Sequence, residues 1–134
     1  MGKNTGGCMT EKINSARDLK VYKTSFAAAM EIFKITKNFP DEDRYSLTDQ
    51  IRRSSRSVCS NLAESWRKRR YPAVFCNKVI VAHLEASVTQ TWLDFCLACE
   101  YINNVIFNRP TSFFKVVSQL SMFTTTQPLN SNNV

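Results

Sequence analysis

The sequence predicts an all-α protein, an up-and-down antiparallel four-helix bundle with a short fourth helix. Three observations predict it. Four stretches repeat apolar residues at the helical period. Gly and Pro number only three and four in 134 residues, too few for the turns of an all-β fold. The apolar share of 43% against 22% charged residues is that of an ordinary globular domain, and a chain of this length buries a core without metal or disulfide.

Pro and clusters of Asn, Asp and Ser divide the chain. Residues 1–17 read as a polar, disordered leader, 18–123 as the bundle and 124–134 as a polar, disordered tail. Helix 1 is expected over about Leu19 to Asn38, closed by Phe39 and Pro40. The acidic turn Asp41, Glu42, Asp43 leads into helix 2, about Ser46 to Lys68, where Ser46 and Asp49 have capping-box spacing. Helix 3 starts near Pro72, a residue tolerated in a first turn, and runs to about Tyr101. Asn103, Asn104, Asn108 and Pro110 mark a break. Helix 4, about Thr111 to Phe123, carries Phe113, Val116, Val117, Leu120 and Phe123 at helical spacing. No internal repeat is visible.

The leader lacks the continuous apolar stretch of a secretory signal, and no run approaches the roughly 20 apolar residues of a membrane span. A cytoplasmic protein with no membrane partner is expected. Its five cysteines, Cys8, Cys59, Cys76, Cys96 and Cys99, are then expected to stay reduced.

Projected at about 100° per residue, helices 1 and 3 each show two apolar stripes. On helix 1 these are Leu19, Tyr22, Phe26, Met30 and Phe33 against Val21, Ala28, Ile32, Ile35 and Phe39. On helix 3, Phe75, Val79, Ala82, Ala86, Leu93 and Leu97 oppose Val81, Leu84, Val88, Trp92, Phe95 and Cys99. A monomeric bundle needs one stripe per helix, so self-association is expected. Val21, Ile32 and Ile35 of helix 1 and Leu84, Val88, Trp92 and Phe95 of helix 3 are the expected subunit contact.

Helix 2 is single-striped, with Leu47, Ile51, Val58 and Leu62 on one side, and its charge is lopsided. Between Arg44 and Arg70 stand eight basic residues, seven of them Arg, against only Asp49 and Glu64. Arg52, Arg56, Arg67 and Arg70 project within about 60° of one another if the helix runs unbroken to Arg70. Together with Arg53, Lys68 and Arg69 they form the candidate nucleic-acid contact, because Arg offers paired donors to phosphate oxygens. A solvated charged face is the competing reading.

No catalytic or metal site is predicted, and no cofactor. His83, Glu85, Cys96 and Cys99 imitate fragments of a zinc deaminase, but thirteen residues of one helix put His83 and Cys96 about 20 Å apart. One His and two thiols do not complete a zinc site within one subunit. His83, Ser87 and Asp94 lie in a row along helix 3 instead of converging as a triad does. Asn61 and Glu64 read as an interhelical hydrogen-bond pair that fixes packing.

The stretch QIRRSSRSVCSNLAESWRKRRY, Gln50 to Tyr71, and TQTWLDFCLACEYI, Thr89 to Ile102, resemble the small four-helix-bundle proteins encoded in intervening sequences of bacterial large-subunit (23S) ribosomal RNA genes. DLKVYK and NFPDEDRYSLTDQ extend the resemblance over about Asp18 to Ile102. It implies an up-and-down bundle assembled as a ring-like homopentamer, with no known enzymatic activity. More distantly, the chain resembles the accessory protein of diversity-generating retroelements. That resemblance implies a basic pentamer whose partners are a reverse transcriptase and RNA or DNA. The family suggests small or acidic residues where this chain has Leu84, Val88 and Glu100, and Gly or Ala where it has Ser65.

Overall fold

The computed structural model describes residues 13–109 together with Val116, Gln119 and Leu120. Three long helices dominate: α1 (Lys20–Thr36), α2 (Asp49–Arg67) and α3 (Pro72–Ala98), followed by the single turn α4 (Asn104–Phe107). Among the described residues there is no strand, and no helix is long and apolar enough to cross a membrane.

Cross-helix contacts fix the directions. Glu64 meets Lys78, Ser54 meets Thr89 and Asp43 meets Tyr101, so the number rises on α3 as it falls on α2. Likewise Arg52 reaches Thr36 and Arg56 reaches Phe33. Both neighbours of α2 are therefore antiparallel to it. α2 lies between α1 and α3 and packs most extensively on α3.

The core stripe of α2 follows the helical period: Ile51, Ser54, Ser55, Val58, Leu62 and Ser65 are all buried. Opposite them α3 presents Val79, Ala82, Ala86, Thr89, Leu93 and Cys96. So many small side chains let the two axes approach closely. The one polar link in this seam is satisfied, because the Thr89 hydroxyl lies 2.8 Å from the Ser54 hydroxyl and donates within its own helix to the Glu85 carbonyl. Each large buried residue, such as Ile51 or Leu62, contributes about 1.5–3 kcal/mol by leaving water.

The ends of the helices differ from the expected ones in instructive ways. Ahead of α1, the Asp18 carboxylate accepts the backbone N–H groups of Asn14 and Ser15 at 2.9 and 3.0 Å. These hold its pKa below the usual carboxylate value. α2 does not begin with a Ser46–Asp49 box. A wide π-type turn, Arg44–Thr48, precedes it, and the Ser46 hydroxyl donates to the Asp43 carboxylate at 2.9 Å. That turn faces Leu47 and Thr48 into the core and leaves Tyr45 outside.

α3 stops three residues short of Tyr101. Glu100 takes a left-handed conformation, φ 63, its N–H bonding the Leu97 carbonyl at 3.0 Å and that of Tyr101 bonding the Cys96 carbonyl at 2.9 Å. This is a Schellman closure, with Glu where Gly is favoured. The Tyr101 hydroxyl then donates to Asp43, and its ring packs on Phe39 at 5.1 Å between centroids. This ties the end of α3 to the α1–α2 turn.

The expected break at Asn103 instead contains α4. The Asn103 side chain accepts the Ile106 N–H at 3.0 Å, so it caps a helix: Asn favours caps as much as turns. The expected helix from Thr111 to Phe123 lies outside the described residues apart from Val116, Gln119 and Leu120. Those three are helical, and Val116 and Leu120 are fully buried in the core. The leader up to Glu11 and the tail from Thr124 also lie outside.

Candidate nucleic-acid interface

α2 is amphipathic in the strict sense: its inward stripe is apolar or hydroxylic, and its outward side carries the Arg residues. Arg52, Arg53 and Arg56 line an open groove of about 610 Å³ with Tyr45, Asp49 and Ser60. Arg52 is held in place from below. Its Nε donates to the Thr36 hydroxyl at 2.8 Å, and its guanidinium lies 5.0 Å from the centre of the Phe33 ring. Lys37 and Arg56 approach the same ring at 4.8 and 5.8 Å. One aromatic face thus gathers three cations, and their mutual repulsion is offset by the ring quadrupole.

The ion pairs among the described residues are Arg44–Asp41, Lys78–Glu64 and Arg109–Glu31. None uses Arg52, Arg53, Arg56, Arg67, Lys68, Arg69 or Arg70. The terminal nitrogens of Arg52 point to the groove with no carboxylate partner among the described residues.

At the far end the expected ridge changes. α2 ends at Arg67, and Lys68, Arg69 and Arg70 form the turn before α3, so Arg70 leaves the row that an unbroken helix would have given it. Arg67 keeps its place, about 20° from Arg56 in projection. Arg69 folds back over the Trp66 ring at 4.3 Å and donates to the Trp66 carbonyl at 2.9 Å. The basic surface therefore has two parts, a groove cluster and a turn cluster about 16 Å farther along the helix.

The residues expected at a subunit contact divide. Ile32 is only 3% exposed and belongs to the chain's own core, and Val21, Ile35 and Trp92 pack half-buried against that core. The core-facing stripe of α1 is thus the one expected outside, and Phe26 and Met30 are exposed instead. The inversion has a cause. Ser25 and Thr36 make that side look polar, yet their hydroxyls bond back to the carbonyls of Val21 and Ile32, both at 2.7 Å, and so can be buried. On α3, by contrast, Leu84, Val88 and Phe95 are exposed at 58, 41 and 53%. Ile80 continues the row, and Phe95 packs against Trp92.

Residues that imitated chemistry are dispersed. Burial pushes the Cys96 thiol up to about 12 and the Cys59 thiol up to about 11, which leaves neither a thiolate near neutral pH. The Ser87 hydroxyl donates to the His83 backbone carbonyl. Among the described residues no three His, Cys, Asp or Glu side chains gather as a metal site would require. Glu64 does reach across to α3, pairing with Lys78 at 2.6 Å. Asn61 does not: it donates to the Ser57 carbonyl and hydroxyl of its own helix.

Sequence reasoning missed the α1 side of the groove. Phe33 read as a stripe residue and Lys37 as a solvated charge. The signal available was their i, i+4 spacing, which stacks them on one face.

The model of the 23S rRNA-intervening sequence protein family matches residues 17–121. The chain belongs to that family. A solved structure of a protein of unknown function from the S23 ribosomal protein family of Bacteroides thetaiotaomicron has the same fold, with a TM-score of 0.58 and 24% identity. The similarity covers 79% of this chain and 93% of that one. No curated protein matches. The family match spans α1 to α3, the groove and the basic turn.

Proposed function

We propose that this member of the 23S rRNA-intervening sequence family is a non-catalytic, self-associating bundle that binds the phosphate backbone of RNA or DNA through the outward face of α2. The carrying observation is the groove itself. Three Arg side chains line it, one held by Thr36 and Phe33, and none is neutralised by a carboxylate among the described residues. Solvated charge faces are more often built from mixed signs and from Lys. Arg held in a fixed orientation loses less freedom on meeting a phosphate than a free side chain does. An RNA-linked family description supports this setting.

The exposed row Ile80, Leu84, Val88 and Phe95 on α3 supports self-association, since every Å² of it left in water forgoes about 25 cal/mol. A homopentamer is the assembly that the resemblance implies, and a reverse transcriptase is the protein partner that the more distant resemblance suggests. If the row instead serves another protein and the Arg residues only solvate the surface, the chain is an interaction module with no nucleic-acid ligand. Fluorescence anisotropy with a labelled structured RNA at about 50 mM salt separates the two. Saturable binding that weakens steeply with salt is expected. No binding by the parent protein would overturn the nucleic-acid reading.

A further inference from the structure

Tyr45 is 82% exposed and takes no part in a ring contact or hydrogen bond among the described residues. No packing requirement explains an aromatic there, because the neighbouring core positions are filled by Leu47 and Thr48. Its placement is set by the π-type turn Arg44–Thr48, a local distortion that occurs often at functional positions. Two grooves meet at this residue. One, of about 610 Å³, holds Arg52, Arg53 and Arg56. The other, of about 360 Å³, holds Lys37, Arg44 and Asp41. Tyr45, Asp49 and Arg52 line both.

Charge along this path is uneven. The Arg53–Arg56 end is cationic and suits phosphate, whereas the Asp49 carboxylate beside Tyr45 repels it. A chain of phosphates is therefore drawn to one end of the path while an uncharged planar group fits the other. An unpaired nucleotide has both parts. Resting on the phosphate-binding reading above, we propose that the groove takes a single-stranded segment, its phosphates on Arg52, Arg53 and Arg56 and an unstacked base on the face of Tyr45. A duplex keeps its bases stacked on one another and offers no free face, so it uses only the Arg contacts.

The test compares a fluorescein-labelled oligouridine of about 12 nucleotides with a duplex of the same length, by anisotropy at several salt concentrations. Tyr45→Ala should weaken strand binding by about 5- to 100-fold, the range for loss of one stacked base. Duplex affinity and both salt slopes should stay as in the parent, because no charge is removed. Tyr45→Phe should bind the strand as the parent does. Circular dichroism checks that helicity is unchanged, as the exposure of Tyr45 requires. Undiminished strand binding by Tyr45→Ala, or an equal loss of strand and duplex, would overturn the stacking site while leaving the Arg contacts standing. Failure of the parent to bind either form at low salt would overturn both.

Discussion

Replacing Arg52, Arg53 and Arg56 together by Gln removes the groove cluster and leaves the turn cluster in place. The structure sets the magnitude. Arg69 is committed to Trp66, so each protomer offers six cations of the basic surface: the three in the groove and Arg67, Lys68 and Arg70 at the turn. On duplex DNA each neutralised phosphate contributes about 0.9 to the slope of log affinity against log salt. Six contacts give a slope near −5.4, so raising salt from about 50 to 200 mM should cost the parent on the order of 10³ in affinity. With three contacts the slope falls to about −2.7 and the same change costs roughly 40-fold. Anisotropy titrations at four or five salt concentrations measure both slopes. Helicity and assembly mass should be unchanged, since Arg53 and Arg56 are exposed and Arg52 loses only its bond to Thr36. Equal slopes for parent and variant would refute the groove as the phosphate contact.

Three further outcomes follow from other parts of the molecule. Glu100→Gly should stabilise the fold by about 1 kcal/mol, because φ 63 strains a residue with a Cβ; thermal melts should show Tm higher by a few degrees, and a lower Tm would contradict the αL closure. The Tyr101 and Ser46 hydroxyls hold Asp43 below its usual 3.8, so their contribution is present above that pH and lost as pH falls through the lowered value. The Asp43 contact raises Tyr101 from 10.0 to about 12, so on the alkaline side the contribution is lost between those pH values. Tyr101→Phe should flatten both limbs of a urea-midpoint profile, and parallel profiles would rule the contact out. Leu84→Glu with Phe95→Glu should yield a folded protein of monomer mass by light scattering, whereas Ile32→Glu should unfold the chain. A parent that is already monomeric at micromolar concentration would remove the basis for self-association.

The α2 face was legible in the sequence because two independent signals coincided there. An unambiguous apolar stripe fixed which side faces inward, and the Arg excess then had to face out. α1 lacked the first signal. Its two stripes are equally apolar, and the deciding feature is that Ser25 and Thr36 satisfy their hydroxyls on their own helix, which makes the hydroxylic side the buried one. Helical period alone does not carry that information. Without the facing of α1, the sequence could not place Phe33 and Thr36 beneath Arg52, and the groove stayed invisible although all its residues had been read. The ends of α2 and α3 were misjudged for a related reason. Asp43, not Asp49, accepts from Ser46, and Glu100 closes α3 in a conformation usually left to Gly. In both places a contact made across the bundle, Tyr101 to Asp43, selects one local geometry from several that the residues allow. The face of α2 follows from its own residues, whereas the grooves beside it depend on how α1 and the acidic turn are brought to it.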